Sequence, residues 1–184
     1  FLLGLIQGLA EFFPISSSGH IILFSSALDV AERHPLLLSI VVHFATTLST
    51  IIVFRRKITT LFIGVLERQD FIQTTYFLKL LLSSLPIIIV GLFFKDEVEL
   101  LFNNATNLVS VMLLITASFL IVTQFLKRGD IKINYYHAVL MGIVQALAIL
   151  PGISRSGATI VAALLFKIDR KSAAEFSFLM VLLP

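Results

Sequence analysis

Three predominantly apolar stretches, Leu36 to Phe54, Tyr76 to Phe94 and Leu108 to Leu126, constrain this chain more than any other feature. A hydrocarbon core of about 30 Å takes roughly 20 helical residues to cross, and each stretch supplies that length. Composition agrees, with 58% hydrophobic and 14% charged residues, where a soluble domain carries roughly 25% charge. The mean hydropathy is +1.00. An ordinary soluble domain and a disordered chain are both excluded. The net charge of +3 comes from basic residues at the ends of apolar runs, so the basicity reports topology, and no nucleic-acid partner is expected. Cysteine is absent, which excludes disulfides and thiolate metal sites within the chain. Residues 1–184 read as a single membrane domain.

Arg55, Arg56, Lys57 and Arg68 lie between the first and second stretches, and Lys127, Arg128 and Lys132 follow the third. The positive-inside rule puts the 55–75 and 127–137 loops in the cytoplasm. The 95–107 loop, with Lys95 beside Asp96 and Glu97, is then outside, as is the stretch before Leu36, where Arg33 is the lone basic residue. Pro86 is expected to kink the second span.

Two further apolar stretches, Phe1 to Phe13 and Ala138 to Leu150, are too short to span, and each runs into a Pro and a Ser/Gly-rich turn before a second short stretch. Each predicts a helix-turn-helix hairpin. Displaced by 138 residues, LGLIQGLAEFFPISSSGHII falls on MGIVQALAILPGISRSGATI without a gap. Gly4, Gln7, Ser16, Ser18 and Gly19 recur as Gly142, Gln145, Ser154, Ser156 and Gly157. Shared membrane composition explains matched Leu and Ala, but not a Gln, two Ser and two Gly in register. Repeat 1 covers about 1–54 and repeat 2 about 138–184, connected by the spans 76–94 and 108–126. Three spans separate the copies, so the second is expected upside down relative to the first. The first hairpin then enters from outside and the second from the cytoplasm. Non-helical backbone at membrane depth is tolerated only inside protein or along a wet cavity, so the two turns should meet. The expected fold is all-α: a polytopic integral membrane protein with an inverted-topology repeat and two re-entrant hairpins.

Chemistry concentrates at those turns. Gln7 and Glu11 share one face of the first short helix. A carboxylate at mid-membrane costs about 2.5–3.5 kcal/mol on insertion scales and is normally functional, so Glu11 is a metal ligand or general acid/base. Pro14-Ile-Ser16-Ser17-Ser18-Gly19-His20 brings hydroxyls, the positive end of a helix dipole and a histidine together, a combination that suits a phosphate. The second copy, Pro151-Gly-Ile-Ser154-Arg155-Ser156-Gly-Ala-Thr159, adds an arginine that opposes the dipole and calls for an anion. These groups fit phosphoryl chemistry on a lipid-linked phosphate. Arg155 would hold the phosphate, and Glu11 with Gln7 would hold a divalent cation or position water. His20 or Ser17 would move a proton or attack phosphorus; a serine nucleophile and an activated water both remain open. His43, within the first span, reads as a packing residue before a site residue.

The segments Gln7-Gly-Leu-Ala-Glu11, Pro14 to His20, Pro151 to Thr159 and Glu175-Phe-Ser-Phe178 resemble the undecaprenyl-diphosphate phosphatase family, also known as bacitracin-resistance proteins. The resemblance runs along nearly the whole chain. It implies a bacterial multi-pass enzyme of the inner (plasma) membrane that hydrolyses undecaprenyl diphosphate to the monophosphate and inorganic phosphate. That recycles the carrier lipid for peptidoglycan synthesis. It further implies a divalent cation, Mg2+ or Ca2+, an active site facing the periplasm or exterior, membrane lipid as partner, and leaves a homodimer open. The family's acidic motif falls on Gln7 and Glu11, its serine-histidine turn on Ser16, Ser17 and His20, and its arginine motif on Ser154, Arg155, Ser156 and Thr159. With Ser18, these make the expected phosphate site, with Glu11, Ser17, His20 and Arg155 as its catalytic groups. Gln7 is the less acidic of the family's two options, which leaves Glu11 the stronger metal ligand. The family continues past the position of Pro184, so the resemblance implies that the chain is a fragment.

The alternative from another class is a lipid-phosphate transporter or flippase using the same inverted-repeat site. It predicts substrate movement without phosphate release. A likeness of Ser18-Gly19-His20 and Ser154-Arg155 to the phosphatidic-acid phosphatases fails where that family needs a further His, since Val161 stands there.

Overall fold

The computed structural model describes residues 1–27, 35–67, 71–102 and 106–184; Arg33 and Arg68, used above for topology, lie outside them. The described residues form α1 (Leu2–Phe12), α2 (Ser17–Ala27), α3 (Pro35–Leu66), α4 (Phe71–Phe93), α5 (Lys95–Phe102), α6 (Thr106–Phe125), α7 (Tyr135–Leu147), α8 (Arg155–Leu165) and α9 (Arg170–Met180). Among them no strand forms; one isolated bridge joins Ile131 to Ile168.

α4 and α6 have 23 and 20 residues at mean hydropathies of 2.1 and 2.2, about 35 and 30 Å of helix at 1.5 Å per residue. Only 22% and 11% of their most apolar windows are buried, so they are not the core helices of a soluble domain. Leu92, Leu114 and Phe125 point outward, 74%, 69% and 80% exposed. Such an apolar exterior is stable only against lipid. The protein is a helical membrane protein.

The first span does not end at its charges. α3 runs from Pro35 through Arg55, Arg56 and Lys57 to Leu66, about 48 Å of helix, so most of the expected 55–75 loop is helical. Arg and Lys are good helix formers and no Gly or Pro intervenes before Gly64, so the helix continues where its apolar surface stops. The 95–107 segment likewise contains α5, with Asp96 and Glu97 in its first turn, complementing the dipole. α4 continues as helix through Pro86.

Both expected hairpins are present: α1 turns back as α2, and α7 as α8. α7 packs closely on α4, where Gly142 lets the helix meet the backbone carbonyl of Ser83. α8 is held by α6, α7 and α9. The main core lies at this end, built from Leu80, Ala138, Met141, Ala163, Ile168, Phe176 and Met180. α9 is entered through Asp169, whose carboxylate accepts from the N–H groups of Lys171 and Ser172 at 3.0 Å each. Hydrogen bonding from Ser172, side chain then backbone, holds that carboxyl below its ordinary range.

Candidate active site

α1 ends at Phe12, and the chain turns through Pro14 into Ser16, which adopts a left-handed φ of 70°. α2 then starts at Ser17. α7 ends at Leu147, and the chain turns through Gly152, at φ 96°, into Ser154, the N-cap of α8. The Ser154 hydroxyl accepts from the Gly157 N–H at 3.0 Å and lies 3.4 Å from the Ser156 hydroxyl. In the first copy, Ser16 makes the matching contacts with Gly19 N–H and the Ser18 hydroxyl, each at 3.4 Å.

The turns interlock through their glycines. A Cβ on Gly19 would lie 3.0 Å from the Cα of Gly152, and one on Gly157 would lie 2.8 Å from the carbonyl oxygen of Pro14. Displacement by 138 residues converts Pro14 into Gly152 and Gly19 into Gly157. Each contact is therefore the mate of the other, as in an isologous two-fold interface.

Where the turns meet, a half-open cavity of about 540 Å³ is lined by Glu11, Ser16, Ser17, Ser18, Ser154, Arg155 and Ser156. Glu11 is fixed within it: one carboxylate oxygen, Oε2, accepts from the Gln7 amide at 2.9 Å and from the Ser17 hydroxyl at 2.5 Å. The short O–H to carboxylate contact is charge-assisted. Arg155 enters from the opposite copy, and among the described residues no carboxylate pairs with it; Glu175 of α9 pairs instead with Lys57 of α3 at 2.8 Å. A guanidinium without a carboxylate partner among the described residues, two helix N-termini and five serine hydroxyls thus share one cavity, a set of groups whose charge and donors suit an anion.

Three expected site residues do not line the cavity. Gln7 is 1% exposed and acts on Glu11. Thr159 is fully buried and bonded to the Ser177 hydroxyl at 2.6 Å, tying α8 to α9. His20 does not line the cavity. Its Nδ1 lies 2.8 Å from the Ser16 carbonyl, which can only accept, so Nδ1 carries the proton there.

The wall also holds His43, Thr46, Thr47 and Thr50 of α3. His43 is therefore a lining residue and not only a packing one. The signal was available: these four are spaced i, i+3, i+4 and i+7 along an apolar span, one polar helical face.

Among the described residues no group of three or more His, Cys, Asp or Glu could hold a metal ion. The donor set is instead one carboxylate, Glu11, and the amide oxygen of Gln7, which is buried and without a hydrogen-bond partner among the described residues. Hard oxygen donors centred on one carboxylate are of the kind that suits a Mg2+-type ion.

Fold and cavity together define a helical membrane protein with a hydroxyl- and arginine-lined cavity at the meeting of two paired hairpins. The profile of the family described as bacitracin resistance protein BacA matches residues 1–184, and the chain belongs to that family. It is 46% identical to the undecaprenyl-diphosphatase of Christiangramia forsetii over 98% of this chain and 69% of the relative. It is 43% identical to that of Bacteroides fragilis over 100% and 69%, and 38% identical to that of Methanococcus vannielii over 98% and 72%.

Proposed function

We propose that Ser17, Glu11 and Arg155 carry the undecaprenyl-diphosphatase reaction of this chain, with Ser17 as nucleophile. The observation that carries the reading is the 2.5 Å hydrogen bond from the Ser17 hydroxyl to Glu11, the nucleophile-base pairing of covalent catalysis. Glu11 takes the Ser17 proton as Oγ bonds to the terminal phosphorus. The bond from that phosphorus to the bridging oxygen breaks, and undecaprenyl phosphate leaves with the electron pair. Water then attacks the phosphoserine, Glu11 returns its proton to Oγ, and the released phosphate keeps the protons of water. Arg155 and the N-termini of α2 and α8 hold the charge that builds on the equatorial oxygens. Glu11 and the Gln7 amide oxygen would hold a divalent cation, which when bound supplies further neutralisation of the diphosphate.

The inverted-repeat, re-entrant arrangement is part of the same proposal. The mated glycine contacts support a pseudo-two-fold axis between the hairpins, and the odd number of long helices between the copies, α3, α4 and α6, supports opposite entry. With the basic clusters inside, the protein sits in the inner membrane with the cavity facing the exterior.

The test is inorganic phosphate release from undecaprenyl diphosphate by the complete protein in detergent, with rapid acid quench of substrate labelled in its terminal phosphate. The expected result is chelator-sensitive release, a transient acid-stable label on the protein, and loss of both in Ser17→Ala; Arg155→Ala loses release. Release without a labelled intermediate, undiminished in Ser17→Ala, would replace the serine by activated water.

A further inference from the structure

We infer that Thr116, on α6 and outside both hairpins, is a positioning residue for Arg155. It is 3% exposed. Its hydroxyl donates to the carbonyl of Gly152 at 2.9 Å and accepts the N–H of Ser154 at 3.2 Å. One side chain thus satisfies a buried acceptor and a buried donor of non-helical backbone, on either side of Ile153. Such groups have no other recourse at membrane depth.

Ser154 is the N-cap of α8 and Arg155 its first residue. Fixing the Ser154 peptide therefore fixes where the helix begins and from where the guanidinium projects. α6 also carries the rest of the cradle: a Cβ on Gly152 would lie 2.6 Å from the Val109 carbonyl oxygen and 2.8 Å from the Met112 Cβ. Val109, Met112 and Thr116 recur at i, i+3 and i+7, one face of α6. Leu113 beside them contacts Gly19, whose Cβ would lie 3.0 Å from its Cδ2. α6 is the common floor of both turns, and both hydrogen bonds of Thr116 are aimed at the turn that bears the arginine. Thr116 does not line the cavity, so it acts through the backbone that Arg155 continues.

The inference rests on Arg155 as the phosphate clamp. Thr116→Val keeps the shape and removes both bonds; Thr116→Ser keeps the hydroxyl and removes the methyl. The complete protein is assayed for kcat and KM on undecaprenyl diphosphate, for competitive inhibition by inorganic pyrophosphate, and for thermal unfolding. Misplacement of a catalytic contact by about 1 Å costs on the order of 100-fold. The expected result is kcat/KM about 10- to 100-fold lower and weaker pyrophosphate inhibition in Thr116→Val, both restored to within about threefold in Thr116→Ser, with Thr116→Val still folded but melting below the parent because two buried backbone groups lose their partner. Wild-type values in Thr116→Val, or equal defects in both variants, would overturn the inference. A Thr116→Val chain that no longer folds would make the residue a brace of the fold and overturn it too. Arg155→Ala with undiminished pyrophosphate inhibition would instead sink the clamp reading on which the inference stands.

Discussion

Ser16 and Ser154 occupy the same place in the two copies, yet their surroundings have parted. Ser154 has an ordinary φ of −76°, a 3.0 Å cap bond, and Thr116 bonded to its peptide. Ser16 stands at φ 70° with a 3.4 Å contact to Gly19, and its carbonyl meets the His20 ring. The left-handed residue has also moved, from Ser16 in the first turn to Gly152, the mate of Pro14, in the second. The side chains differ in the same sense. Glu11, Ser17 and His20 correspond to Ile149, Arg155 and Ala158. One turn is a strained loop carrying a carboxylate and a hydroxyl, and the other a well-capped loop presenting a cation. Backbone strain tends to collect where groups react, whereas a clamp works best when its support is fixed. On the function proposed above, the two matched helix starts divide the labour: the first carries the reacting groups and the second the clamp.

The largest effect should follow from breaking that division at its acidic end. Glu11→Gln removes the proton acceptor while keeping the shape and the Gln7 contact, and turnover should fall by roughly 10²–10⁴. Ile149→Val, the matching position on the same cavity wall, should leave turnover within about threefold, since a shortened apolar side chain there removes no proton carrier. Equal losses at both positions would mean that the two halves contribute alike, and the comparison would fail.

Much of this was legible in the sequence because it is periodic or repeated. Apolar length predicted α4 and α6, and a gapless register of Gln, Ser and Gly predicted the hairpins and their meeting. The end of α3 was not legible, because the apolar signal stops at Phe54 while helix propensity and water carry the backbone on to Leu66. Thr116 was not legible either. Its partners lie 36 and 38 residues away in the chain, and one threonine in a span carries no period. The retreat of His20 from the cavity depends on a local choice, its Nδ1 meeting the Ser16 carbonyl, which residue order does not determine. The polar face of His43, Thr46, Thr47 and Thr50 could have been read and shows that a weak helical stripe inside an apolar span repays attention.

A smaller effect separates Gln7 from Gln145, both essentially fully buried. The Gln7 amide donates to the Glu11 carboxylate, a bond to a charged group worth about 1.5–3 kcal/mol. Gln145 faces no carboxylate, because Ile149 replaces the acid, and neither of its amide atoms has a hydrogen-bond partner among the described residues. Gln7→Met should therefore lower kcat/KM by about 10- to 100-fold, equivalent to that loss. Gln145→Met should leave kcat/KM within about threefold and the melting temperature unchanged or raised, as an unsatisfied buried amide is exchanged for an apolar group of similar size. A stability loss in Gln145→Met as large as the parent's usual core substitutions would show that the second copy also relies on its amide.

The smallest effect tests the caps themselves. Ser154→Ala deletes a well-formed N-cap and should cost about 1 kcal/mol, whereas Ser16→Ala deletes a contact at the outer limit of hydrogen bonding and should cost only a few tenths. Glycine sharpens the contrast, because it tolerates both the cap position and a positive φ. At Ser154, where φ is already ordinary, Ser154→Gly has no strain to relieve and should lower the melting temperature slightly. At Ser16, relief of the left-handed backbone, about 1 kcal/mol or more, outweighs the weak cap, so Ser16→Gly should melt at or above the parent. Thermal unfolding of the four variants in one detergent decides the matter. If Ser16→Gly is the less stable of the two glycine variants, the strain assigned to the first turn is absent, and the two turns differ only in the side chains they carry.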